Sequence, residues 1–194
     1  MKPVFMIINI GRSGSMAVAK GFGMQHEPDG YSPSFHNLGV RINKAQHYYG
    51  ETSNFWRDRL DDLMKMHPEA IFLHLVRDGK DVIKSIEIRD LYDGVMTAPP
   101  YQNTPLPIKG FLEMDRFTKI CWYWRYWNEF IEERIKSRVR LEDIQHALPH
   151  ENKSTAPIKR WSDKQMKIFD KICGETNERY GYTRFSVLSG EDNE

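Results

Sequence analysis

Cysteine is scarce in this chain: Cys121 and Cys173 are the only two in 194 residues. That number and spacing exclude a disulfide framework and the paired ligands of a zinc site. A strong excess of either charge is also missing, with 28 Lys and Arg against 27 Asp and Glu and a net charge of +1. Wholesale nucleic-acid binding wants a strongly basic face or tail, and the balance here argues against it. No run approaches the ~20 apolar residues that cross a bilayer. The apolar stretch at residues 4–10 breaks at Gly11, too short for a secretory signal as well. Internal repeats and low-complexity tracts are absent. The chain reads as a cytoplasmic protein of one domain over residues 1–185, followed by a polar tail at 186–194.

What is present is an alternation of short apolar runs and helical periodicity. Residues 4–10 read as a buried β-branched strand, and 71–76 as a second. A third short strand is expected at 138–141. Helices are expected at 15–22, 38–48, 54–67, 80–89, 114–136 and 162–180, with a turn at 50–53 and a short strand or loop at 24–33. Residues 91–110 carry four prolines and two glycines and read as a long loop. Such alternation predicts an α/β domain with a mainly parallel central sheet flanked by helices. Ligands in these sheets bind beyond the carboxyl ends of the strands. That rule gathers residues 11–16, 77–81 and 142–143 on one rim.

The loop after the first strand is Gly11, Arg12, Ser13, Gly14, Ser15 and Met16. Two glycines permit a tight turn whose amides converge. Arg12 adds a planar cation suited to phosphate or sulfate oxygens, and the two serines add hydroxyl donors. A nucleotide-kinase P-loop would end in Gly-Lys-Ser/Thr. Here Ser15 and Met16 follow Gly14, so the lysine and the metal-binding hydroxyl of Mg-nucleotide chemistry are lacking. The second apolar strand runs into Arg77, Asp78 and Gly79, and a helix follows in which Ser85 is placed to reach the same rim. An Arg and a Ser so arranged can hold one phosphate from two sides.

Taken together, the two loops resemble the sulfotransferases that use 3′-phosphoadenosine 5′-phosphosulfate (PAPS). That family has a Lys/Arg-Ser-Gly-Ser/Thr loop after its first strand and an Arg-Asp-x-Arg/Lys-Asp-Val-x-x-Ser segment after a later one. Arg77 and Ser85 fall at the Arg and Ser of the second motif. Trp122, the Glu142-Asp143 strand end, Lys153-Ser154, Trp161 and Tyr180-Gly181-Tyr182 are similar to further family features in the same order. Arg12 departs from the Lys of many members but keeps the cation. The resemblance implies a P-loop-like three-layer fold. It implies PAPS as co-substrate and 3′-phosphoadenosine 5′-phosphate (PAP) as product, with no metal required. The first loop would take the 5′-phosphosulfate and Arg77 with Ser85 the 3′-phosphate. Lys153 and Ser154 and, later, Trp161 are similar to the family's last cofactor loop.

The acceptor would be a small molecule or a glycan, and its class stays open. A general base is expected near the first loop, where Gln25-His26-Glu27-Pro28 follows the first helix. Glu27 is favoured over His26, with His36 and Glu51 in reserve, and Arg12 is expected to stabilise transferring charge. Phe117, Ile120, Trp124, Trp127 and Ile131 form a core-facing stripe; of Trp122, Tyr123, Tyr126 and Phe130, which lie off it, most are expected to pack in the core, with an acceptor pocket or a sugar as the alternative. Two other classes compete: a P-loop-type small-molecule kinase and a nucleotide-binding module without catalysis.

Overall fold

The computed structural model describes residues 2–30, 32–88, 92, 105–148 and 160–185. Its centre is a five-stranded sheet of β1 (Val4–Ile8), β2 (Gln25–His26), β3 (Tyr49–Ser53), β4 (Ile71–Val76) and β5 (Arg138–Arg140), in the order β2-β3-β1-β4-β5. All four pairings are parallel. Helices α1 (Ser15–Gly21), α2 (Phe35–Lys44), α3 (Leu60–Met66), α4 (Gly79–Glu87), α5 (Arg116–Arg134), α6 (Leu141–Ile144) and α7 (Asp163–Arg179) complete the described elements. Among the described residues, no helix is long and apolar enough to cross a membrane.

Strand alternation sorts the side chains into two cores, and so makes three layers. Val4, Met6 and Ile8 of β1 face a large cluster that includes Leu38 of α2, Leu60 and Leu63 of α3, Val82 and Ile86 of α4, and Phe169 of α7. Ile7 of β1 and Leu75 of β4 face the other way, onto Val18 of α1 with Leu141 and Ile144 of α6. The first crossover, β1 to β2, moves outward along the sheet and carries its helix on this smaller face. The later crossovers move the opposite way and carry theirs on the larger face. A fixed handedness of parallel crossovers links direction to face in this manner. Adjacent strands β1 and β4 therefore send their chains to opposite faces, which opens a crevice between their carboxyl ends.

The ends of the helices follow from local chemistry. Asp78 caps α4 by accepting from the Lys80 amide, and Asp115 caps α5 by accepting from Thr118. Ser162 and Gln165 cap α7 reciprocally. Gly79 is fixed by packing, because a Cβ there would stand 2.9 Å from the Trp124 ring.

The expected elements around residues 44–60 are corrected. Residues 50–53 form no turn: Tyr49–Ser53 is a buried strand beside β1, and the helix before it ends at Lys44. The segment Tyr-Gly-Glu-Thr-Ser lacks an apolar pattern because its polar groups are satisfied inside the fold. Glu51 accepts from Tyr49 Oη at 2.5 Å and Trp56 Nε1 at 2.6 Å, while Thr52 Oγ1 donates to the Ser15 carbonyl at 3.1 Å. The expected helix at 54–67 likewise begins later, as a 3-10 turn at Arg57–Arg59 leading into α3. Most of the expected loop at 91–110 lies outside the described residues.

Candidate active site

The loop after β1 curls through left-handed backbone at Gly11 (φ 83°), Arg12 (φ 57°) and Gly14 (φ 85°). Backbone of this kind forms concavities that hold anions. Gly11 N–H donates to Asn9 Oδ1 at 2.7 Å, and Ser13 Oγ donates to the Gly11 carbonyl at 3.2 Å, which fixes the curl from within. A Cβ on Gly14 would stand 2.6 Å from Leu141 Cδ2, so both conformation and packing demand glycine there. Ser13 and Ser15 are buried, and Met16 is exposed.

Across the crevice, Arg12 Nε donates to Ser85 Oγ at 2.9 Å. Residues 73 apart in sequence thus meet between the ends of β1 and β4. Ser85 lies nearly two turns into α4 and faces Arg12. Arg77, at the end of β4, pairs with Asp81 at 3.0 Å and keeps a third of its side chain exposed. Asp78 is tied to the helix cap and to Asn177 Nδ2 at 3.2 Å, so it serves the scaffold. Lys153 and Ser154 lie outside the described residues.

The end of β2 adjoins the same loop. His26 Nε2 sits 3.1 Å from Ser15 Oγ, and the Glu27 amide donates to the Thr52 carbonyl at 3.0 Å. Glu27 adopts φ 45°. Among the described residues three non-glycine positions have positive φ, and Arg12 and Glu27 are two of them. Strain of about 1–3 kcal/mol per such residue persists where the surroundings enforce it, and it clusters at working sites. Burial raises the Glu27 carboxyl above its ordinary value of 4.5, with His26, the Asn54 amide and Arg57 pulling the other way and Glu51 adding to the rise.

Beyond Glu27 lies a cleft of about 230 Å³ walled by Ser32, Asn54, Phe55, Arg57, Asp58 and Arg59. Asn54 joins it to the loop, since its Nδ2 would stand 2.9 Å from a Cβ on Gly11. A larger cavity of about 440 Å³, lined by Gly23, Arg41, Tyr48 and Gly50, opens at the amino ends of β2 and β3, away from this rim.

Sequence reasoning missed Arg57. Its guanidinium is 1% exposed, donates through Nη1 to Tyr123 Oη, and stacks 4.5 Å from the Trp127 ring. Tyr123 in turn donates to the Ile10 carbonyl at 3.1 Å, and so packs in the core and fastens α5 to the end of β1. No local motif marks Arg57, because Tyr123 and Trp127, which enclose its guanidinium, come from a distant helix. Two reserve bases move aside as well. Glu51 is 2% exposed, with Trp56, Tyr49 and Arg41 on its oxygens. His36 lies exposed on α2. Trp161 is a core anchor, donating to Glu87 Oε2 and packing on Phe117 at 5.1 Å.

No family model matches the chain, and neither does any curated protein. Among solved structures, the crystal structure of a sulfotransferase from Alicyclobacillus acidocaldarius aligns over 94% of this chain and 97% of that chain. The TM-score is 0.53 at 10% identity. The two share a fold. The five-stranded parallel sheet with helices on both faces is consistent with the P-loop-like sulfotransferase architecture.

Proposed function

We propose that this protein transfers a sulfuryl group from PAPS to a hydroxyl or amine acceptor, with residues 1–185 as the transferase domain. The single observation that carries the reading is the Arg12–Ser85 contact across the β1/β4 crevice, which sets the two anion-binding motifs against one another. The fold shared with a sulfotransferase supports it. Its cytoplasmic setting is supported by two buried free thiols.

In this reading the 11–16 loop holds the 5′-phosphosulfate, and Arg77 with Ser85 holds the 3′-phosphate. Lys153 and Ser154 contribute further to cofactor binding. The acceptor oxygen attacks sulfur in line with the bond to the 5′-phosphate. That bond breaks, its electron pair leaves on the phosphate of PAP, and the acceptor proton passes to Glu27. Arg12 neutralises charge on the equatorial and leaving oxygens, a task a cation in a preorganised site performs without a metal. His26 positions Ser15 through the 3.1 Å contact. The raised Glu27 carboxyl is a stronger base than an exposed one, and it acts only when ionised.

The experiment is transfer of labelled sulfate from PAPS to a panel of hydroxyl and amine acceptors. Glu27→Gln is expected to lower turnover by about 10²–10⁴-fold with PAP binding unchanged. Wild-type turnover should rise with pH through a midpoint above 4.5. Absence of transfer by a protein that binds PAP would leave a nucleotide-binding module. Tight binding of Mg-ATP in place of PAP would favour a kinase.

A further inference from the structure

Resting on the sulfuryl-transfer reading, we infer that the cleft beside β3 is the acceptor subsite and that it selects acceptors bearing a carboxylate or comparable anion on the ring that carries the reacting hydroxyl. A void of about 150 Å³ accommodates benzene, and this cleft of about 230 Å³ has room for one substituted ring.

Its wall is cationic. Arg57 is buried at 1% exposure, where taking a guanidinium out of water costs several kcal/mol unless it is matched. Among the described residues, the carboxylate paired with it is Asp58 at 3.3 Å, whose own side chain is 45% exposed. The Trp127 and Tyr123 faces, 4.5 Å and 5.1 Å away, supply the rest of its surroundings. Arg59 stands on the same wall, over the Phe35 ring at 4.1 Å and donating to the Pro33 carbonyl at 3.0 Å. The cleft wall itself carries two arginines and one solvent-facing aspartate, and the Glu27 carboxyl beyond it feels the charge of Arg57.

A second observation points to the hydroxyl. Asn54 is 7% exposed and walls the cleft, and its Oδ1 has no hydrogen-bond partner among the described residues. A buried acceptor in that condition is completed by an O–H or N–H donor. The Asn54 backbone amide also holds the Glu27 carboxyl down against the rise that burial causes, so a hydroxyl drawn to this residue lies beside the candidate base. The anion would sit on Arg57 and the reacting hydroxyl between Asn54 and Glu27.

The test compares 4-hydroxyphenylacetate with 4-hydroxyphenylacetamide, a pair matched in shape and differing in charge, by calorimetric titration of the protein with and without PAP. The carboxylate is expected to bind about tenfold more tightly, the yield of one charge-assisted contact. Arg59→Ala and Asp58→Asn alter exposed side chains and leave the core intact. The first should lower the preference and the second raise it. Equal binding of the two compounds, no binding of either, or a preference unmoved by both variants would overturn the subsite. Failure of PAP to bind would instead remove the sulfuryl-transfer reading, while the titration without PAP still decides whether the cleft selects anions.

Discussion

The two sides of the β1 rim are built by different means. On the β4 side, the site is made from backbone turns and half-buried cations: the left-handed loop at Gly11, Arg12 and Gly14, the Arg12–Ser85 pair and Arg77. On the β3 side, it is made from buried charged side chains: Glu51 among Trp56, Tyr49 and Arg41, and Arg57 under Tyr123 and Trp127. A turn that cradles an anion is specified by neighbours in sequence. A buried ion is specified by whatever surrounds it in space, and it must be matched group by group. The first side therefore rests on backbone turns and on cations paired near the surface, and the second on buried groups that tolerate little change.

Glu51→Ala breaks that comparison most severely if it is correct. It orphans the Trp56 N–H, the Tyr49 hydroxyl and part of Arg41 inside the core, and should destabilise the protein by about 3–5 kcal/mol in urea unfolding. A loss within 1 kcal/mol would show that the β3 side is no more rigid than the other.

His74 sharpens the contrast from within β4. This buried group is kept neutral, because burial lowers its pKa to about 4 from 6.5 while Asn128 opposes the shift. The unfolded chain binds that proton more readily, so the stability contributed above pH 6.5 is lost as pH falls toward 4. The loss amounts to about 3 kcal/mol. Replacement by His74→Gln should flatten the acid limb of stability over that window.

Gly14→Ala carries a smaller cost, about 1–3 kcal/mol for left-handed backbone and for the push against Leu141. Its signature is selective: PAP binding should weaken more than folding does. A purely structural glycine would lower melting temperature and leave affinity intact.

The same contrast explains what was legible in sequence. The β1 and β4 strands are apolar runs ending in Gly-Arg-Ser-Gly and Arg-Asp-Gly, and both their place in a parallel sheet and their shared rim could be read from pattern alone. Tyr49–Ser53 could not, because a strand whose polar groups are satisfied by Trp56, Arg41 and the Ser15 carbonyl carries no period-two signal. Arg57 was hidden for the same reason, its chemistry depending on Tyr123 and Trp127 from α5. Trp161 read as a cofactor-loop residue because an aromatic near a motif looks functional until its ring is found packed on Phe117 and Phe169.

One nucleotide held between the exits of β1 and β4 is the claim from which the chemistry follows. Calorimetric titration of wild type and Arg77→Ala with PAP addresses it directly. PAP should bind the wild type and lose about a hundredfold in the variant, as expected for two charge-assisted contacts to one phosphate. Equal affinity of the two proteins for PAP would contradict it.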